Sequence, residues 1–249
     1  MNSVTIRNLL VRGMLAGLAA GVLALVVAYL LGEPQVNAAI AFEEAHSHEH
    51  EMEVVSRGVQ STAGLATGVL VYGVALGGIA ALAFCFALGR IGRFGARATA
   101  ALLSGAALLA VYLVPFLKYP ANPPSVGDPD TIGKRTALYF LMMLLGILLA
   151  VAATILGRRL APKLGNWYAT VAAVAAFAVA IGLAYAFLPA INEVPHGFSA
   201  TLLWQFRLSA IAIQLVLWTS FGLVFGHLAE RVVPTRSPAT AAGAAPAAS

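Results

Sequence analysis

Six apolar stretches, at 13–31, 63–88, 98–117, 137–156, 168–188 and 208–225, constrain what this chain of 249 residues can fold into. The shortest holds 18 residues. As a helix rising about 1.5 Å per residue it reaches roughly 27 Å, close to the ~30 Å depth of a bilayer's hydrocarbon core. Hydrocarbon offers no water to the backbone, so only helices and closed barrels cross it. The alternating ten-residue pattern of a membrane barrel is absent, and the runs are Ala, Leu, Val and Gly throughout. The expected fold is therefore all-α: a polytopic bundle of about six transmembrane helices forming one domain over 1–234. Composition excludes the soluble alternative, because 60% of the residues are hydrophobic and only 10% charged, against about 25% charged in soluble domains. Mean hydropathy is +0.87.

The first stretch follows Arg7 and Arg12, as a signal peptide would. Its 19 apolar residues exceed the 7 to 15 or so of a signal core, so it reads as a retained span. After Pro234 the chain turns Ala/Pro/Thr/Ser-rich, and 235–249 reads as a disordered cytoplasmic tail.

The net charge of +5 would point to nucleic acid in a soluble protein, but here its distribution matters more. With the amino terminus inside, ten basic residues lie inside: Arg7, Arg12, Arg90, Arg93, Arg97, Arg158, Arg159, Lys163, Arg231 and Arg236. Five lie outside, and the bias places both termini in the cytoplasm. Nine of the ten acids fall outside, so the outer face is acidic and attracts cations. Nucleic acid is not an expected partner. Glycines recur four apart at Gly13, Gly17 and Gly21, at Gly64 and Gly68, and at Gly73 and Gly77, as close helix packing within one bundle requires.

The densest chemistry lies in the extracytoplasmic loop expected over 32–60, at Glu43-Glu44-Ala45-His46-Ser47-His48-Glu49-His50-Glu51-Met52-Glu53. Three of the five histidines and five of the ten acids fall in these eleven positions. Imidazole nitrogen and carboxylate oxygen suit first-row divalent ions, and the lone Cys85 rules out a thiolate cluster. Extended, His46, His48 and His50 project to one side; helical, His46 and His50 share a face. Together with Glu44, Glu49 and Glu51 they are the expected metal-capture residues. Such a loop follows the Irving–Williams order, so it concentrates ions without selecting cobalt over copper or nickel.

Glu33 beside Pro34, and Glu193 with His196 between the fifth and sixth stretches, are the second rank of candidate ligands because they stand at membrane boundaries. The proline-rich segment 118–136 reads as a rigid re-entry turn, with Asp130 or Thr131 capping the following helix and a lid or docking surface as the functional alternative. Gln214 gives the sixth stretch its polar face. No buried acid chain marks a proton relay. ATP use is not expected, since Gly127 to Lys134 has the wrong spacing for a P-loop and Arg135 replaces its Ser or Thr. No catalytic or permanent cofactor motif is present, so the chain does not read as an enzyme.

The segments Asn8 to Gly17, Gly32 to Glu44, Lys118 to Pro124 with Gly127 to Thr131, and Leu202 to Leu208 together resemble the CbtA family of cobalt transporter subunits. The resemblance covers most of the chain except the tail. It implies a multi-pass bacterial inner-membrane protein acting in cobalt(II) uptake beside a small single-span, His-containing CbtB partner. The alternative is a membrane-bound accessory protein delivering ions to a separate permease, or nickel as the ion. Five spans are usually described for the family, against six stretches here.

Overall fold

The computed structural model describes residues 2–46 and 55–233. The expected tail, and most of the His/Glu segment, lie outside the described residues. The described chain is helical, with no strand among the described residues.

Helix α1 (Ser3–Val27) starts where Asn2 Oδ1 accepts the Thr5 N–H at 2.8 Å. It continues through a π-helical segment, Ala28–Gly32, into α2 (Glu33–His46). Pro34 explains the widened turn: its nitrogen carries no hydrogen and its ring would collide with the carbonyl four residues back, so the helix opens there. The expected loop over 32–60 therefore begins as helix, and α2 prolongs the first span beyond the apolar stretch. The second crossing joins α3 (Arg57–Val59), a π segment Gln60–Gly64 and α4 (Leu65–Ala87). The third joins α5 (Ala96–Ala107), a π segment Leu108–Leu113 and α6 (Val114–Lys118), where Pro115 repeats the role of Pro34.

Two further helices, α7 (Ile132–Phe187) and α8 (Ala200–Glu230), complete the chain. Five helical stretches are thus long and apolar enough to span. The 56 residues of α7 would extend roughly 84 Å if straight, far more than a bilayer. They bend at Gly165, whose φ of 74° and ψ of 162° are not helical. A Cβ placed on Gly157 would lie 3.3 Å from that of Ala173, and Met142 and Ile181 share one buried cluster. The two limbs, 132–164 and 166–187, are therefore antiparallel neighbours, and they carry the fourth and fifth apolar stretches. Five helical stretches, one of them folded back on itself at Gly165, give six crossings.

The bundle core is built from α1, α4, α5 and α8. Arg12 Nη1 donates to Leu228 O at 2.8 Å near one end, and Ser209 Oγ donates to Leu31 O at 2.9 Å near the other, so α1 and α8 are antiparallel. Arg97 pairs with Glu230 at 2.6 Å, which sets α5 antiparallel to α8. Between lipid-facing helices there is no apolar driving force, so close packing must hold them. Gly13 and Gly17 meet Gly77 and Gly73 backbone to backbone, and Phe84 meets Phe225 edge-on at 5.1 Å. The other stripe is not used: nothing lies within 4 Å of a Cβ on Gly68, and Gly64 faces only its own helix. The α7 hairpin packs chiefly on the third crossing. Only 11% of its most apolar window is buried, against 33% for each other span.

Charge separates by end, as the sequence distribution requires. Arg12, Arg97 and Glu230 gather at the end holding the start of α1 and the end of α8, where Arg158 donates to Arg90 O. Glu33, Arg57, Asp128, Arg135 and Glu193 occupy the opposite end.

Candidate functional site

The end opposite the termini is a cap made from α2, the segment 119–131 and the segment 188–199. Ala39, Val126 and Phe198, one from each, are buried together, and Phe42 meets Phe198 edge to face at 5.0 Å. Polar contacts tie the same three pieces. Ser125 Oγ lies 3.3 Å from Ala39 O, and Tyr119 donates its hydroxyl to Pro189 O at 2.9 Å. Lys118 Nζ donates to Tyr185 O at 2.8 Å. Arg207, on the first turns of α8, donates to Ala121 O at 3.3 Å and to Asn122 Oδ1 at 3.0 Å. Proline fixes the 119–131 backbone and these bonds fix its position, so the segment is a rigid lining.

Both second-rank carboxylates are engaged within this cap. Glu33 forms an ion pair with Arg57, which also donates Nε to Asn37 Oδ1 at 3.1 Å and so staples the base of α2 to the second crossing. Glu193 accepts from the Asp128 N–H at 2.9 Å and the Thr131 hydroxyl at 2.7 Å, and Arg135 Nε lies 3.4 Å away. The expected capping of α7 by Asp130 or Thr131 is replaced by a different arrangement. Asp128 Oδ1 caps the short turn by accepting from Asp130 N at 2.9 Å, and Thr131 turns its hydroxyl to Glu193. These partners hold the Glu193 carboxyl below its ordinary range, the Asp128 N–H contributing most, then Thr131, with Arg135 and Lys134 adding charge.

A pH dependence follows. A carboxyl depressed on folding contributes stability above its unfolded pKa near 4.5, and that contribution disappears as pH falls through the lower folded value. Glu193→Gln should lower the melting temperature of the purified chain at neutral pH and flatten its decline below about pH 4.5. An unchanged acid limb in thermal scans would remove Glu193 as the clamp.

The other candidates occupy distinct places. Glu44 is exposed on the last turn of α2, and His46 is that helix's final residue. His48, Glu49, His50 and Glu51 lie outside the described residues. His196 is exposed, two residues before Phe198, while Glu44 is two residues after Phe42. The Phe42–Phe198 contact therefore sets the base of the His/Glu segment beside the His196 loop. Among the described residues no three His, Cys, Asp or Glu side chains gather as a metal site.

Two spaces open into the cap. A cavity of about 50 Å³ is lined by Tyr119, Asn122, Arg135, Glu193 and Arg207 among others. An open groove of about 590 Å³ runs from Pro120, Pro123 and Pro124 past Arg135 to Tyr139 and Phe140. Within the spans, the Tyr112 hydroxyl and Gln214 Oε1 are buried without a hydrogen-bond partner, and Tyr72 and Tyr139 stand on the second and fourth crossings. Sequence reading singled out Gln214 but missed these tyrosines and the organising roles of Arg135, Arg207 and Asp128. Each tyrosine interrupts or borders an apolar run, and that was the available signal.

A family model described as a probable cobalt transporter subunit (CbtA) matches residues 6–230. No curated protein and no solved structure matches the chain.

Proposed function

The chain belongs to the CbtA family, and on that premise we propose that it is the membrane subunit through which cobalt(II) is taken up. The family match across nearly the whole multi-pass chain carries this reading. The segregation of charge supports the direction: the acidic cap faces outward, both termini face the cytoplasm, and the protein resides in a bacterial inner membrane.

His46, His48 and His50, with Glu44, Glu49 and Glu51, capture the ion outside and raise its concentration at the cap. His196, whose loop is tied by Phe198 to the base of that segment, receives it. Glu33 is held by Arg57, and Glu193 by the Asp128 N–H, the Thr131 hydroxyl and Arg135, so both are already engaged and we assign them to later steps than capture. No bound cofactor is required; the metal is cargo. A small single-span, His-containing CbtB-type subunit is the proposed partner. An accessory protein handing ions to a separate permease is the alternative role, and nickel the alternative ion.

Labelled-cobalt uptake tests this reading in cells lacking other importers, with and without the small partner. Replacing His46, His48 and His50 together by alanine should raise the half-saturating cobalt concentration about tenfold, equivalent to one lost ligand contact of about 1.4 kcal/mol. Maximum uptake should fall less. Absence of uptake by correctly inserted protein under both conditions would sink the transporter reading. Unchanged kinetics in the triple variant would reduce the segment to a linker.

A further inference from the structure

The cavity of about 50 Å³ in the cap and the groove of about 590 Å³ beside it share Tyr119, Pro120, Asn122 and Arg135, so they make one continuous space. Its two ends differ in chemistry. The cavity end holds two guanidiniums, Arg135 and Arg207, against a single carboxylate, Glu193. The groove end is walled by Pro123, Pro124 and Val126 on one side and by Ile132, Tyr139 and Phe140 of α7 on the other.

The arginines are held in place but not neutralised. Both hydrogen bonds of the half-buried Arg207 go to neutral oxygens, Ala121 O and Asn122 Oδ1, and among the described residues no carboxylate pairs with it. Arg135 Nε is buried and makes no hydrogen bond, although Glu193 Oε2 lies 3.4 Å away. Glu193 is itself shared with the Asp128 N–H and the Thr131 hydroxyl. The cavity therefore carries an excess of positive charge within an otherwise acidic cap. Its arginine is seated by design of the backbone: Gly127, with φ of 137°, leaves the room that the Arg135 guanidinium occupies, and a Cβ there would collide with it. A cation withdrawn from water without a counter-charge is costly, and guanidinium N–H groups match phosphate oxygens in pairs.

Depth gives the space a direction. Ile132 opens α7 at the cap, and Phe140, which is exposed, lies about 12 Å further along the helix toward the hydrocarbon. Cationic at the boundary and apolar below it, the space has the polarity order of a phospholipid. We propose that it binds one anionic glycerophospholipid from the leaflet facing the cap, with the phosphodiester between Arg135 and Arg207 and an acyl chain along Tyr139 and Phe140. The single negative charge of a phosphodiester offsets the excess left by Glu193. Such a lipid touches both the exit of the third crossing and the start of the α7 hairpin, the least buried part of the bundle. It is a fixed component of the fold rather than cargo, and the site does not depend on which ion is carried.

Phe140→Trp places a reporter in the groove. In the full chain also carrying Trp167→Phe and Trp204→Phe, with the buried Trp218 retained, the protein is reconstituted in phosphatidylcholine nanodiscs. Brominated phosphatidylglycerol should quench the new indole at a mole fraction about fivefold lower than brominated phosphatidylcholine, which is what one unneutralised basic residue contributes at a membrane surface. Arg207→Gln should abolish this preference. So should Thr136→Phe, which fills the groove and removes no hydrogen bond of the cap. Lys134→Gln, which removes a neighbouring cation that does not line the space, should keep it. Equal quenching by the two brominated lipids, a preference that survives either Arg207→Gln or Thr136→Phe, or one lost equally in Lys134→Gln would overturn the site. Excess inorganic phosphate should leave the quench unchanged; relief of quenching by phosphate would assign the pocket to the free anion and overturn the lipid.

Discussion

Gly17→Ala should destabilise the bundle by about 3 kcal/mol and lower its melting temperature by roughly 10 °C. The cause is backbone contact rather than side-chain packing. A Cβ on Gly73 would stand 2.6 Å from Gly17 O, a Cβ on Gly13 would stand 2.6 Å from Gly77 O, and one on Gly17 would press on the Gly73 carbonyl. Real Cβ atoms do not approach backbone oxygen so closely, and neither helix can yield locally, so α1 and α4 must separate. Separation strips contacts along the whole seam, where Ala16, Ala20 and Ala24 are also buried. In lipid, no solvent-driven force restores them. Gly68→Ala is the matched comparison, because nothing lies within 4 Å of its Cβ. There the gain in helix propensity, up to about 1 kcal/mol, is all that remains. Thermal unfolding of both variants in one detergent measures the contrast. Equal effects would show that the two glycines are not distinguished by the α1–α4 approach.

The same glycines show where sequence was informative and where it was not. Spacing four apart identified stripes, but Gly64 with Gly68 has the same spacing as Gly13 with Gly17 and touches no other helix. A stripe states that close approach is available; only the partner's register decides whether it is used. The crossings themselves were legible because hydrocarbon imposes both length and apolarity. The two crossings carried by α7 were legible as separate stretches, but the extent of the first limb was not, since Arg158, Arg159 and Lys163 end an apolar run without ending the helix before Gly165. Long cationic side chains bend toward water while their backbone stays hydrogen-bonded. Pro34 and Pro115 looked like helix stops, yet π turns upstream absorb both. In the cap, sequence singled out Glu33 and Glu193 as candidate ligands but not their partners. Their pairing with Arg57 and Arg135 depends on helix starts 24 and 58 residues away in sequence, to which no local pattern points.

The bend in α7 has the second large consequence. With Cys85→Ser removing the native thiol, Gly157→Cys and Ala173→Cys should form a disulfide nearly quantitatively under mild oxidation. The 3.3 Å separation of their Cβ positions is slightly shorter than the usual range of about 3.5–4.5 Å, a shift the two limbs can accommodate. In a straight helix the same residues would be about 24 Å apart and could not react within one chain. Gly157→Cys with Ala180→Cys, displaced by two turns, should remain reduced. The bend depends on Gly165, whose φ of 74° with ψ of 162° is a region that side chains disfavour by about 1–3 kcal/mol. Adding Gly165→Leu should therefore lower the cross-linking yield, because continued helix competes with the turn. The outcome also fixes topology: two antiparallel limbs make an even number of crossings and return both ends of the described chain to the same side. A reduced Gly157/Ala173 pair in folded protein would instead leave five crossings, put the start of α1 and the end of α8 on opposite sides, and contradict the Arg12–Leu228 contact that joins them.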